Sequence, residues 1–367
     1  MEISARSTHL NADNNRSTSF SPFSFRNAVC CFVLQPVSRT GGLSYCLGIL
    51  SAPAHYMNAI PLLDTLLKQA ISARASDIHL ELKHSGAQAR LRIDGLMVAR
   101  EQYTHEQASA LTNRIKVLSG LDISVQRKPQ DGKFRYLTDE KEVDVRVSTL
   151  PTIHGEKLVL RVLDSSQGLL SVEKLQLPED IKEPLLYSLK SCQGLFLFVG
   201  PTGSGKTTTL YALIQSLAAH SKNIVTIEDP VEYTLPEINQ VQVNSLAGVS
   251  FATGLRAILR QDPDIILIGE IRDLETAEIA VQAALTGHLV LGTLHTRDSI
   301  EAVVRLSELG LPAFYISAAL RGVLAQRLLP LYCPVCRGAK CPQCHNTGYS
   351  GRRALFEYLP ITPKIQE

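Results

Sequence analysis

The residues Gly200-Pro201-Thr202-Gly203-Ser204-Gly205-Lys206-Thr207-Thr208 bring three glycines, a lysine and a run of hydroxyls into one loop. That combination suits phosphate chemistry. Gly203 and Gly205 permit backbone angles and a close approach that a Cβ would forbid. The loop amides and the N-terminus of a following helix then face an anion. Lys206 is placed to reach the β- and γ-phosphates, and the Thr207 hydroxyl to ligate Mg²⁺. Both flanks agree. Gly194–Val199 is a continuously apolar run that reads as a buried parallel strand, and apolar residues recur at helical spacing from Thr209 to Ala218. The alternative, a glycine-rich turn with a solvated lysine, does not account for that context.

Acidic groups follow at two further strand ends. Asn223–Ile227 leads into Glu228-Asp229-Pro230-Val231-Glu232, and Asp264–Ile268 leads into Gly269-Glu270-Ile271-Arg272-Asp273. In an open parallel sheet ligands sit beyond the carboxyl ends of the strands, so both groups can face the phosphate loop. Glu270 is the first candidate for the base that orients an attacking water, with Glu228 second. Asp229 and Glu232 are candidates for a metal shell. The aspartate expected at the end of a Mg²⁺-binding strand would fall at Gly269 and is missing. His288 and His295 flank one apolar strand; a histidine beside the γ-phosphate can sense it or donate a hydrogen bond, and the strand-end position favours His295, with His288 a further candidate. Arg256 and Arg260, four apart on a predicted helix, share one face. An arginine on the γ-phosphate contributes about 10³–10⁵ in rate and can come from another domain or subunit. Spacing alone does not choose among the arginines.

Cys333, Cys336, Cys341 and Cys344 form two C-x₂-C pairs suited to tetrahedral zinc, with His345 a possible substitute ligand. Cys30, Cys31, Cys46 and Cys192 are scattered. A formal net charge of +2 argues neither for nor against nucleic acid, but the lack of a basic stripe with interleaved aromatics argues against direct nucleic-acid binding. No stretch approaches the ~20 apolar residues of a membrane span.

The elements that must position these groups form an α/β chain. Residues 1–56 are rich in Ser, Asn and Thr at first and are expected to be a poorly ordered extension. Residues 57–165 read as a small α+β domain, with helices at 60–71 and 106–120, alternating strands at 76–82 and 88–94, further strands at 133–137, 143–150 and 157–163, and a hairpin signal at Asp94-Gly95. Residues 166–190 read as a linker with a short helix. From 191 to 367, strands at 194–199, 223–227, 264–268 and 289–294 alternate with helices at 205–218, 275–285 and 298–308, a doubly wound pattern.

From about Asn58 onward the chain resembles the secretion ATPases of type II secretion and type IV pilus assembly. The resemblance rests on Ala75–Glu81, Arg90–Gly95, Pro129–Gly132, Val143–Pro151, the phosphate loop, Thr226–Tyr233 (an aspartate box), Leu255–Asp273 with its atypical acidic strand, Thr286–Thr296 (a histidine box) and the four cysteines. It implies a RecA-like P-loop motor preceded by a PAS-like domain, using ATP, Mg²⁺ and Zn²⁺. It implies hexameric rings at the cytoplasmic face of the inner membrane, peripheral to it, driving a membrane platform protein. By the same resemblance Arg146 and Arg161 match small-domain arginines that reach the γ-phosphate on closure. Arg256, Arg260, Arg272 and Arg305 match arginines near the nucleotide or a subunit interface. Tetracysteine sites favour assembly or secretion over retraction or DNA uptake, which is the runner-up duty. The sequence departs from the family in its short cysteine loop, in Gly292 and Arg297 where Ser and Asn are usual, and in stopping at Glu367 where relatives continue. From those departures, a truncated paralogue acting as a non-hydrolysing, nucleotide-gated assembly subunit is the alternative.

Overall fold

The structure, a computed structural model, describes residues 36–37, 44–45, 54–138, 142–163, 170–191, 193–218 and 222–366. The expectations for most of the extension, for the first linker residues 166–169 and for Cys30, Cys31, Cys46 and Cys192 fall outside the described residues. The chain divides into two compact units, 1–54 and 55–367. In the first, β1 (Pro36–Val37) pairs antiparallel with β2 (Ser44–Tyr45).

The second unit holds two sheets. In chain order the first part supplies α1 (Ala54–Ser72), β3 (Asp77–Lys83), β4 (Gly86–Ile93), β5 (Leu96–Tyr103), α2 (His105–Leu118), β6 (Gln130–Leu137), β7 (Glu142–Thr152) and β8 (Gly155–Leu163). Its strands form a six-stranded sheet in the order β5-β4-β3-β8-β7-β6, with neighbours antiparallel. Period-two patterning decides the faces. Ile78, Leu80, Ala89, Leu91, Val143, Val145, Val147, Leu158 and Leu160 point to one core, which α1 and α2 close with Leu63, Leu66, Leu67, Leu111 and Ile115. Helix α2 begins at a capping box in which Thr104 and Gln107 exchange side chain-to-backbone hydrogen bonds.

One ion pair is sunk in this core. The Lys116 ammonium is fully buried and donates to both Glu156 carboxylate oxygens (2.9 and 3.0 Å) and to the Val125 carbonyl (2.7 Å). All three ammonium hydrogens are therefore engaged. The pair ties α2 to the start of β8.

After α3 (Glu179–Ser191) comes the second sheet, with β9 (Gly194–Val199), α4 (Lys206–Leu217), β10 (Ile224–Glu228), β11 (Asn239–Gln242), α5 (Phe251–Ile258), β12 (Ile265–Ile268), α6 (Leu274–Leu285), β13 (Leu289–Leu294), α7 (Ser299–Glu308), α8 (Ala313–Ala319), β14 (Leu320–Tyr332), β15 (Tyr349–Pro360) and α9 (Pro363–Gln366). The order is β11-β10-β12-β13-β9-β14-β15, parallel as far as β14, with β15 antiparallel at the edge. Both faces are covered, as a parallel sheet requires. Leu195, Leu197 and Val199 of β9 face the α5, α6 and α8 side, while Phe196 and Phe198 face α3 and α4. That double burial is why β9 reads as a continuous apolar run. No helix among the described residues is long and apolar enough to cross a membrane.

The α/β class is as the sequence predicts. The long hairpin β14–β15, strand β5 and the short strand β11 go beyond the strands read from the sequence, and residues 179–191 form a longer helix than the linker reading allows.

Removing one partner of the buried pair strands the other charge, at a cost of about 3–5 kcal/mol. Glu156→Ala is therefore expected to lower the thermal unfolding midpoint markedly. The double change Lys116→Met with Glu156→Leu should recover most of the loss, measured by calorimetric or circular-dichroism melts.

Candidate functional site

Parallel strands deliver their carboxyl ends to one edge of the sheet. Along the order β10-β12-β13-β9 that edge presents Glu228, then Glu270, then His295, then the phosphate loop. The loop's geometry follows from its glycines. Gly200 lies at φ +146° and Gly205 at φ +91°. A Cβ at Gly200 would meet the Gln326 carbonyl oxygen of β14 at 2.3 Å, and one at Gly205 would meet Gln326 Nε2 at 2.7 Å. Strand β14 is thus pressed against the loop, and Gln326 Oε1 accepts from Thr209 in α4 at 2.8 Å. The Ser204 hydroxyl is buried without a hydrogen-bond partner. Thr207 sits half-buried in the first turn of α4.

The Lys206 ammonium folds back on the loop, donating to the Gly200 carbonyl (2.5 Å) and the Pro201 carbonyl (3.2 Å). Burial lowers its pKa to about 8, an effect that the nearby Glu270 charge opposes. Glu270 Oε1 lies 3.3 Å from His295 Nε2, and Glu270 Oε2 lies 2.7 Å from the Arg272 guanidinium. Burial, reinforced by the Lys206 charge, lowers the His295 pKa, so the imidazole is neutral at physiological pH. Lys206, Glu270, His295 and Arg272 therefore form one electrostatic cluster beside the loop. Arg272 also approaches Asp229, at 4.0 Å.

The missing aspartate at position 269 has a packing cause. A Cβ there would lie 3.1 Å from both the Glu228 Cα and the Ile227 carbonyl oxygen, so no larger residue fits without moving β10. Gly292 is similar, since a Cβ would come within 2.8 Å of Ile271 Cδ1. The space a serine side chain would need there is filled by Ile271.

Other candidates are placed differently. His288 stands at the amino end of β13, where its backbone carbonyl accepts from Gly194 and its ring contacts the Ala283 carbonyl (2.9 Å). The six residues of β13 separate it from the loop edge by about 20 Å, so it does not join the cluster. Arg260 lies beyond the end of α5 and donates to the Arg256 carbonyl (2.9 Å), so the two do not form the shared helix face the spacing suggested. Arg256 pairs with Glu275 (2.7 Å) and Arg305 with Glu308 (3.2 Å), all exposed. Glu228 is buried, with its carboxylate taken by Tyr211, Thr226 (2.5 Å) and Gln240 (3.2 Å). Tyr211, Gln240 and Gln326 carry no motif, and their roles come only from tertiary contacts.

A cleft of about 2440 Å³ lies between the two sheets and is lined by Gly205 and Thr208 on one side and by Arg146 and Arg161 on the other. Arg146 Nη2 donates to the Val231 carbonyl (2.6 Å), and Nη1 pairs with Glu232 (3.3 Å). Arg161 is held within its own sheet by Asp77 (3.1 Å). Neither arginine contacts Lys206 in this conformation. Two further contacts bridge the cleft's rim. Asp94 accepts from the Gly351 amide (2.7 Å), and Arg100 meets His345 Nδ1 (2.8 Å). His345 Nδ1 is thereby taken by Arg100, and among the described residues the clustered ligand atoms are those of the four cysteines alone.

The sulfurs of Cys333, Cys336, Cys341 and Cys344 lie within 4.8 Å of one another. The shorter separations are 3.7 Å (336–344 and 341–344) and 3.9 Å (333–341). Four thiolates about 2.3 Å from a tetrahedral zinc would stand about 3.8 Å apart, so the four residues fit such an ion. Burial works to raise the Cys344 thiol. Amide hydrogen bonds from Cys341 and Gly348 (3.3 Å each) and the neighbouring sulfurs bring it down to about 6.

Comparison with known proteins gives a consistent neighbourhood. The family model described as type II/IV secretion system protein matches residues 54–367. The type II secretion system protein HxcR of Pseudomonas aeruginosa is 48% identical over 318 residues, which cover 84% of this chain and 67% of that protein. The type II secretion system ATPase E of Vibrio cholerae is 43% identical over 333 residues, covering 84% and 66%. The crystal structure of the pilus retraction motor PilT with bound ADP superposes with a TM-score of 0.59 at 31% identity, over 82% of this chain and 83% of that one. The chain thus spans about two thirds of the length of these secretion relatives.

The lowered Lys206 pKa yields a signed prediction. Between about pH 8 and the ordinary 10.5 the unfolded lysine holds more proton than the folded one, so this group's contribution to stability rises with pH across that window. Bound phosphates would favour the ammonium again. Nucleotide binding at about pH 8 is therefore expected to take up roughly half a proton, falling toward none by about pH 6. Titration calorimetry in buffers of different ionisation enthalpy measures this directly.

Proposed function

The chain belongs to the type II/IV secretion system protein family, and on that premise we propose that it is an ATP-hydrolysing motor of type II secretion or type IV pilus assembly. One observation carries the reading. Lys206, Glu270 and His295 converge at the carboxyl edge of a parallel sheet, beside a glycine loop that opens a helix.

In this reading residues 191–367 are a RecA-like motor and 57–165 a smaller domain joined by 166–190. Backbone amides of the loop 200–208, apart from Pro201, which has no N–H, hold the phosphates of ATP. The Lys206 ammonium exchanges the carbonyls of Gly200 and Pro201 for β- and γ-phosphate oxygens. Thr207 would hold Mg²⁺, which would supply charge neutralisation across the phosphates. Glu270 orients the attacking water and accepts its proton, with Arg272 and His295 fixing its two oxygens. Neutral His295 can donate a hydrogen bond without adding charge.

Arg146 and Arg161 complete the site on closure of the cleft. Their place on its wall opposite Gly205 and Thr208 supports that role. Closure would require Arg146 to leave Glu232 and Arg161 to leave Asp77. Asp229 and Glu232 remain candidates for the metal shell, and Arg256, Arg260 and Arg305 for a subunit interface. Cys333, Cys336, Cys341 and Cys344 would hold a structural zinc, a fully ligated site with no open position for catalysis. The four-cysteine cluster favours assembly or secretion over retraction. The working form would be a homo-oligomeric ring, hexameric by family resemblance. It would act from the cytoplasmic face of the inner membrane on a platform protein, without direct nucleic-acid contact.

Turnover and nucleotide binding separate the roles. Lys206→Ala should lose both. Glu270→Gln should keep binding and lose about 10²–10⁴ in kcat, the span of general-base catalysis. Unaltered steady-state phosphate release in either variant would refute the assignment.

A further inference from the structure

Glu228 ends a strand at the edge where the nucleotide is expected, yet its carboxylate is only 4% exposed and fully engaged. Oε2 accepts from the Tyr211 hydroxyl, and Oε1 accepts from Thr226 Oγ1 (2.5 Å) and Gln240 Nε2 (3.2 Å). The three donors come from three elements. Tyr211 lies on α4, five residues beyond Lys206. Thr226 lies on the same face of β10, two residues before Glu228. Gln240 lies on β11, paired in register opposite Thr226. Strand β10 is also three positions from β9 in the sheet, about 14 Å at the usual strand spacing.

Gln240 passes the constraint outward. Its Nε2 donates to the Tyr233 carbonyl (3.0 Å), and its Oε1 accepts from the Leu235 amide (2.7 Å). The Tyr211 ring meets Tyr233 edge-on at 6.3 Å. These bonds fix the segment 229–235. That segment offers the Val231 carbonyl and the Glu232 carboxylate to Arg146 of the other sheet.

We propose that Glu228 is a positioning residue that, through Tyr211 and Gln240, locks the helix carrying Lys206 to the segment that receives Arg146. It is not the base that takes a proton from water. A buried carboxylate already accepting from three donors has no oxygen turned to a substrate water, whereas Glu270 is more open and borders Lys206. The network instead fixes how far the segment 229–235 stands from the phosphate helix, and with it the point where Arg146 docks before the cleft closes. The kinetic arm of the test rests on the motor reading above. The hydrogen-exchange arm does not.

The variants are Glu228→Gln, Glu228→Ala, Gln240→Ala and Tyr211→Phe in the full chain. They are assayed by ATP turnover across pH, by binding of a fluorescent ATP analogue and by amide hydrogen exchange. Glu228→Gln can still accept from Thr226 and meet Tyr211. It should keep kcat within about fivefold and leave both limbs of the pH–rate profile in place. A lost base would cost about 10²–10⁴ and remove the acidic limb. Glu228→Ala and Gln240→Ala should each raise KM more than they lower kcat and speed exchange at Leu235. Their double variant should be no worse than the poorer single, as expected of one coupled unit. The proposal is overturned if Glu228→Gln matches Glu270→Gln in kcat, or if Leu235 exchange is unmoved in both alanine variants. Should Glu228→Ala fail to fold, Glu228→Gln and Gln240→Ala still decide. Should the wild-type protein turn over no ATP, the motor reading fails and the exchange data alone judge the positioning role.

Discussion

A buried ammonium must keep oxygen partners, and Lys206 keeps two, the carbonyls of Gly200 and Pro201. Those carbonyls belong to the phosphate loop itself, so in the motor reading proposed above the ammonium would exchange them for phosphate oxygens without crossing an unsolvated state. The rest of the sheet's carboxyl edge is arranged around this cation. Glu270 supplies the nearest counter-charge, His295 stays neutral beside it, and Arg272 holds the carboxylate from the other side. The loop stays in shape because β14 presses Gln326 against it, where only glycine fits at 200 and 205. Strand β14 reaches that position through its parallel pairing with β9.

The same edge explains why the other sheet matters. Arg146 and Arg161 face the cleft but spend their charge on Glu232 and Asp77. The cleft's rim is pinned at the Asp94 turn and at Arg100, against residues that flank the cysteine cluster. The hairpin β14–β15 therefore connects three features. Its base shapes the phosphate loop, its tip carries the four cysteines, and its flank touches the smaller sheet.

Much of this was legible in the sequence where the causes are local. The strand before the loop, the glycines, helix α4 and the paired cysteines are fixed by periodicity and spacing within short windows. The strands β10, β12 and β13 were placed to within a residue or so because double burial makes them continuously apolar. The failures are non-local. Strand β11, Asn239-Gln-Val-Gln242, is polar and short, and is a strand only because β10 offers it a ladder. Strand β14 carries no clean alternation and contains Pro330, so its length comes from pairing with β15. The fixation of Arg161 by Asp77 depends on the register of β3 on β8, 84 residues apart in sequence. His288 and His295 flank one strand, and the sequence favours His295; the structure gives the reason, since only one end of a parallel strand faces the ligand edge.

The central claim is that Lys206 trades its loop carbonyls for phosphate at an edge completed by Glu270 and His295. The most direct test is a structure of the protein with Mg²⁺ and a non-hydrolysable ATP analogue. The account predicts that Lys206 Nζ leaves Gly200 and Pro201 for the β- and γ-phosphate oxygens, with the γ-phosphate between the loop and Glu270. A nucleotide bound elsewhere, with Lys206 still on its two carbonyls, would contradict it.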